Sequence, residues 1–371
     1  MSNRPEPNAS VMDIAAYVGG ESNVEGVERI IKLSSNEGPF GPSPSSSKAH
    51  EAEASVLHRY PDGGASELRA AIGARYNLDP AKIVCGAGSD ELISLLCKAY
   101  AGKGDEVLYS EHGFLMYPIS AKAAGATPVT APETNKTADV DALLAAVTDT
   151  TRIVFLANPN NPTGTYLPKA EVKRLRDGLR GDILLVIDAA YAEYTTLEDY
   201  SPGIELVDAG ENTVMTRTFS KIYALGGVRL GWAYAPANVI DVMNRIRGPF
   251  NVGGPAMAAG IAAIQDTDFE DMSRTHNDKW RDWTADQLTR LGLDVTPSIG
   301  NFLLVCFAGN PDHGAEAADQ FLKTRGILVR RMGGYGFPNC LRITIGLEDE
   351  MRIVVDALAA FLGRNDFETS S

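Results

Sequence analysis

Lys221 stands in Thr218-Phe219-Ser220-Lys221-Ile222-Tyr223-Ala224-Leu225-Gly226-Gly227-Val228-Arg229-Leu230-Gly231-Trp232, one lysine between a hydroxyl residue and a glycine-flanked arginine in a mostly apolar run. An amine kept from water is pushed toward its neutral form and can attack a carbonyl carbon. By itself the segment reads more simply as a surface lysine after a turn, because most lysines are solvated. The rest of the chain decides between the two.

Four other groups of residues have types and spacing that carry chemistry. Gly86-Ala87-Gly88-Ser89-Asp90-Glu91 follows an apolar run and opens a helical pattern. Glycines there let backbone approach a ligand, and free amides at a helix start attract phosphate. The third glycine of the dinucleotide fingerprint is missing, and no Gly-Lys-Ser/Thr follows, so neither a dinucleotide site nor a Walker A loop is read. Asn158-Pro159-Asn160-Asn161-Pro162-Thr163-Gly164 ends a buried run. It is a rigid turn or a ligand loop at the carboxyl edge of a sheet, where an Asn amide reaches an oxygen on a bound ring. Asp188 ends another apolar run, with Tyr191 close behind. A buried carboxylate needs a partner. Three readings stay open: a metal-holding aspartate without its phosphate loop, a helix cap, or the counter-charge of a cationic ring nitrogen.

Arg229 in Val-Arg-Leu-Gly-Trp and Arg342 in Leu-Arg-Ile-Thr-Ile-Gly sit in apolar, strand-like settings. A buried guanidinium there binds phosphate or carboxylate, or closes an internal salt bridge. Arg330 and Arg331 are less distinctive. Phe114, Tyr117 and Tyr60 are rings near these segments, each more often core than ligand contact. The five histidines show no metal-ligand spacing, so no metal is expected. No Gly-x-Ser-x-Gly elbow is present for a serine hydrolase.

The elements that position these residues alternate. Strand-like runs at 82–85, 106–109, 126–129, 153–156 and 183–187 are separated by helical patterns, including 169–180. Runs without polar alternation are strands buried on both faces, and the alternation predicts an α/β fold with a mostly parallel central sheet flanked by helices. After about 250 the texture changes to a long polar helix near 268–292, strands at 302–307, 327–329 and 341–345, and helices near 315–325 and 348–363. Three parts are therefore expected: an N-terminal arm over 1–45, a large domain over 46–250, and a smaller α+β C-terminal domain over 251–371.

With 371 residues the chain can bury a sizeable core, and its net charge of −14 argues against nucleic acid or an anionic membrane surface as partner. Any anionic ligand must be held by local arginines. Cys85, Cys97, Cys306 and Cys340 match no zinc or paired redox spacing. Cys85 and Cys306 lie in apolar runs and read as buried free thiols, in keeping with a reducing cytoplasm. The opening Met-Ser-Asn-Arg-Pro-Glu-Pro-Asn lacks the apolar core of a secretory signal.

The order of the pieces is more specific than any of them. A glycine-serine helix start, Asn-Pro-Thr-Gly, Asp-x-x-Tyr, Ser-Lys with a following arginine and a late Leu-Arg-Ile resemble the fold type I pyridoxal-phosphate aminotransferases, over nearly the whole chain. Ser35-Asn36-Glu37-Gly38-Pro39-Phe40-Gly41, Arg59-Tyr60-Pro61-Asp62, Gly88-Ser89-Asp90-Glu91 and Gly336-Phe337-Pro338 are similar to the histidinol-phosphate aminotransferase subfamily. The resemblance implies that Lys221 carries pyridoxal phosphate and shuttles a proton, and that Asp188 pairs with the ring nitrogen. It implies hydrogen bonds from Asn161 and Tyr191 to the ring oxygen, and stacking by Phe114. Ser89, Asp90, Thr218, Ser220 and Arg229 would hold the cofactor phosphate. Tyr60 would reach the phosphate of a neighbouring subunit, implying a homodimer. Arg342, with Asn36, Tyr17 and Arg330, would bind the anionic end of an amino donor or 2-oxo acid. The implied reaction exchanges the amino group of histidinol phosphate with 2-oxoglutarate in histidine biosynthesis. An aromatic amino-acid aminotransferase, a phosphothreonine-type decarboxylase and a regulator that retains the fold are the rivals.

Overall fold

The largest sheet is built from seven strands. The computed structural model describes residues 5–364 except 25, 28, 309 and 310, and then 366, 367 and 369. The opening Met-Ser-Asn-Arg, part of the expectation about a signal, lies outside the described residues. The strands are β1 (Ile83–Gly86), β2 (Glu106–Ser110), β3 (Thr127–Ala131), β4 (Thr151–Ala157), β5 (Leu184–Asp188), β6 (Thr213–Thr218) and β7 (Gly231–Tyr234). They lie in the order β1-β7-β6-β5-β4-β2-β3. Neighbours from β3 to β6 are parallel; β7 is antiparallel to both β6 and β1. The fold is α/β with helices on both faces, as the alternation predicts, and β6 and antiparallel β7 are additions to that reading.

Almost every residue of β1, β5, β6 and β7 is buried, which is why these runs lack alternation. One face carries Leu92, Leu96, Val186 and Met243; the other carries Leu68, Phe219, Met215 and Trp232. Helix Gly254–Gln265 packs on the second face against helices Pro44–Ala52 and Ser66–Tyr76. Its sequence is so uniformly apolar and small that no amphipathic period announces it.

A second sheet of β8 (Asp294–Thr296), β9 (Phe302–Cys306), β10 (Arg330–Met332) and β11 (Phe337–Thr344) is antiparallel, in the order β8-β9-β11-β10. Leu303, Val305, Leu341 and Ile343 pack on Trp280, Leu322, Val354 and Leu358 of the covering helices. A short parallel pair joins Ile31–Lys32 from the arm to Ile327–Leu328. Among the described residues no helix is long and apolar enough to cross a membrane.

One local expectation is corrected. Cys306 is not a free thiol: β9 and β11 place it directly opposite Cys340, and the two form a disulfide. Strand register sets that pairing across 34 residues, so no local spacing reveals it. Cys85 and Cys97 are free and buried. The helix opened by the Gly86–Glu91 segment begins at Ser89, with Gly88 in the cap position and no side-chain cap.

Candidate active site

At the carboxyl edge of the large sheet, facing the second sheet, lies a cavity of about 270 Å³. The sequence-predicted residues Tyr17, Asn36, Ser89, Asp90, Phe114, Asn161, Asp188, Tyr191, Thr218, Ser220, Lys221, Arg229, Arg330 and Arg342 all line it. Tyr60 does not. It is 82% exposed and stacks on Phe250, with ring centroids 4.6 Å apart.

Asp188 ends β5, and its neighbour across the register is Thr216 of β6. The Thr216 hydroxyl donates to Oδ1 at 3.1 Å and the Tyr117 hydroxyl to Oδ2 at 2.8 Å. Burial pushes the carboxyl up to about 6 despite these donors. The capping reading fails on this geometry, because the carboxylate accepts from two side-chain hydroxyls.

Lys221 follows β6 in the loop that leads to β7. Its amine reaches the Ser35 carbonyl at 3.4 Å and lies 5.7 Å from the centre of the Tyr191 ring. Burial, and then the nearby Arg342 charge, push it down to about 8. It is therefore a buried amine that loses its proton more readily than a solvated lysine.

Arg342, on β11, is 6% exposed. It donates to the Asn161 Oδ1 at 2.6 Å and to the Ser34 carbonyl at 3.1 Å, and its Nε is buried without a partner. Burial lowers its pKa. A guanidinium held only by neutral acceptors keeps its charge uncompensated and can take up an anion. Its contact also fixes the Asn161 amide: the oxygen must face the arginine, which leaves Nδ2 to donate elsewhere. Asn36, at φ 54°, donates to the Tyr191 hydroxyl at 2.9 Å and is clamped by Thr344 and Asn301. Burial raises the Tyr191 pKa, so the phenol keeps its own proton to donate.

Arg229 departs from the expected buried strand. It lies in the loop before β7 at φ 54°, half-exposed, with Nη2 donating to Asp90 Oδ2 at 2.9 Å and Nη1 to Ser220 Oγ at 3.4 Å. Together with the free amides of the helix that begins at Ser89 and the Thr218 and Ser220 hydroxyls, it forms a cradle for a dianion. Gly88 makes this approach possible: it has φ +85°, and a Cβ there would stand 2.4 Å from Arg229 Nη2. Gly88→Ala is expected to lower stability by about 1–3 kcal/mol, read from the urea midpoint. An unchanged midpoint would show that the loop relaxes freely.

Of the paired arginines, Arg330 lines the cavity and donates to the Val18 carbonyl at 2.7 Å, whereas Arg331 turns away to Glu316. Sequence reasoning missed Ser34, Ser35 and Tyr335, which also line the cavity, and Thr216. Thr216 was findable only from the register of β5 and β6. Both Asn-Pro peptide bonds of the Asn158–Gly164 loop are cis.

The donor set is that of a site for a phosphorylated, cationic heteroaromatic aldehyde. It has an anion cradle, a buried carboxylate for a ring nitrogen, two donors for a ring oxygen, a ring face at Phe114 and an amine for the carbonyl.

The pattern of aminotransferase classes I and II matches residues 28–358. Histidinol-phosphate aminotransferase of Paramagnetospirillum magneticum is 64% identical over 97% of this chain and 99% of its own length. That of Rhodospirillum rubrum is 60% identical over 96% and 97%. The crystal structure of histidinol-phosphate aminotransferase from Sinorhizobium meliloti in complex with pyridoxal-5'-phosphate superposes with a TM-score of 0.87. It has 28% identity and covers 97% of this chain and 99% of that one.

Proposed function

The chain belongs to the class I and II aminotransferases, and from that premise we propose that it exchanges the amino group of L-histidinol phosphate with 2-oxoglutarate, using pyridoxal phosphate, in histidine biosynthesis. The observation that carries the reading is Arg342: a buried guanidinium whose partners are all neutral. Such a group accepts the carboxylate of glutamate and the phosphate of histidinol phosphate in turn. The identity of 60–64% with two histidinol-phosphate aminotransferases over nearly full length supports the substrate.

Bound pyridoxal phosphate supplies a carbonyl for the amine and a ring that takes up the electrons released at the substrate's α-carbon. The protein's part is assigned as follows. Ser89 and Asp90 through their amides, with Thr218, Ser220 and Arg229, hold the phosphate. Asp188 holds the proton on the ring nitrogen, and a ring kept cationic withdraws electrons better. Asn161 and Tyr191 donate to the ring oxygen, and Phe114 covers one face. The Lys221 amine would hold the cofactor and, when free, would take the proton from the substrate's α-carbon and return it on the cofactor side. Tyr17, Asn36 and Arg330 close the substrate end around Arg342.

The enzyme is proposed to act as a cytoplasmic homodimer. The exposed Tyr60–Phe250 stack and the exposed Leu57 support burial against a second copy, with Tyr60 reaching its neighbour's phosphate site.

The test is a half-reaction screen. Holoenzyme mixed with histidinol phosphate or glutamate is expected to lose the cofactor's visible absorption band within the dead time of manual mixing. Phenylalanine and tyrosine should bleach it at least about 100-fold more slowly. Faster bleaching with the aromatic amino acids, or carbon dioxide release independent of 2-oxoglutarate, would sink the assignment. The depressed Lys221 pKa gives a second expectation. Its amine is neutral above about 8, so capture of pyridoxal phosphate by apoprotein should accelerate up to pH 8 and then level off. A rate still climbing at pH 10 would place Lys221 in water.

A further inference from the structure

We propose that Tyr117 is a positioning residue for Asp188, holding its carboxylate ionised and aimed so that it retains the ring-nitrogen proton of the cofactor, with Thr216 as the second donor. The proposal rests on the cofactor reading above. No motif marks either residue.

The geometry is that of a clamp. The two hydroxyls take one carboxylate oxygen each, at 2.8 and 3.1 Å. Tyr117 and Thr216 are both fully buried, and Asp188 is 5% exposed, so water does not compete. The Tyr117 ring cannot swing away. It lies parallel to Phe155 at 4.5 Å and meets the edges or faces of Tyr109 at 6.0 Å and Phe114 at 5.9 Å. Thr216 is fixed by the strand itself, opposite Asp188 in the β5–β6 register.

The clamp opposes a cost. Burial drives Asp188 toward its neutral acid, and a neutral acid cannot hold a pyridinium proton by charge. The Asp90 charge at the helix start pushes the same way, while Lys221 after β6 pulls back. The other titratable groups facing it, Tyr191 and Tyr200, are buried phenols with raised pKa values and carry no charge at neutral pH. Two hydroxyl donors favour the carboxylate over the acid, because both bonds are stronger to the ion. Tyr117 remains a donor throughout, since burial and Asp188 hold its own pKa well above the ordinary value.

The experiment measures binding of pyridoxine 5'-phosphate to apoprotein by calorimetry between pH 5 and 8.5. This probe has the ring and phosphate but no aldehyde, so Lys221 cannot attach to it and no turnover is involved. Wild-type binding should weaken on the acid side as Asp188 takes up a proton. In Tyr117→Phe, which keeps the stack on Phe155, that acid limb should move up by roughly one pH unit. The two proteins should converge toward pH 8.5. Thr216→Val should move it the same way by less, in line with its longer bond, and it serves if the first variant does not fold. A merely structural role would weaken binding by one factor at every pH. A parallel curve of that kind, or an unmoved acid limb in both variants, overturns the proposal. If wild-type protein fails to bind the probe at all, the cofactor reading itself falls, and the proposal with it.

Discussion

Lys221→Ala is expected to lower kcat at least about 10⁴-fold, because one side chain is assigned both the attachment of the cofactor and the movement of the α-proton. Among the described residues no other amine lines the cavity to replace it. Steady-state turnover with glutamate checks the magnitude, and retention of more than about 1% of wild-type activity would mean that another group moves the proton. The fold should survive, and the apoprotein supplies a signed control. The folded-state pKa of Lys221 is depressed from 10.5 to about 8. The stability associated with a neutral Lys221 is therefore fully present above 10.5 and lost as pH falls through 8. Wild-type apoprotein should gain on the alanine variant between pH 8 and 10.5, measured by urea denaturation. A constant difference over that range would contradict the buried environment of the amine.

The second large effect concerns Arg342→Met. KM for glutamate and for histidinol phosphate is each expected to rise about 100-fold, equivalent to ~3 kcal/mol of lost anion binding. The apoprotein should become no less stable, and is expected to gain about 1 kcal/mol or more, since a buried charge whose Nε has no partner gives way to an apolar chain of similar length. This opposition, weaker substrate binding with a firmer fold, separates an anion site from a structural salt bridge. If the variant loses stability while KM is unchanged, Arg342 holds the fold and the substrate's anion binds elsewhere. Measuring both substrates matters, because a rise for glutamate alone would move the histidinol phosphate group to Arg330 and Tyr17.

Much of the large sheet was legible because burial on both faces leaves an imprint in composition: 153–156 and 183–187 are apolar without interruption, and β4 and β5 form there. Lys221, Asp188 and Arg342 were legible for a different reason. Each is a polar group in an apolar setting, a placement that costs free energy unless something binds it. What stayed hidden depends on register or on long-range contact. Thr216 looks like any strand threonine until β6 aligns it with Asp188. Cys306 looks like a core thiol until β11 sets Cys340 opposite. Arg217, buried beside Glu193 with its guanidinium over the Tyr76 ring, shows no local sign of that ion pair in Met-Thr-Arg-Thr-Phe. Arg229 errs the other way: an apolar neighbourhood in sequence becomes a half-exposed loop, because Gly226 and Gly227 turn the chain before β7 begins.

Asn36 is the residue that joins the two ends of the chain. It is clamped by Thr344, a separation of 308 residues, while Ser34 receives Arg342 and Ile31–Lys32 pairs with Ile327–Leu328. On a ribosome Asn36 and Thr344 emerge 308 residues apart. The large sheet has all its strands once residue 234 has emerged, but Arg342 and Thr344, which hold Ser34 and Asn36, arrive only with the last strand. The nascent chain therefore carries Lys221 and Asp188 on a formed sheet with one wall of the cavity missing. The cavity closes only when β11 docks on the segment around Ser34 and Asn36.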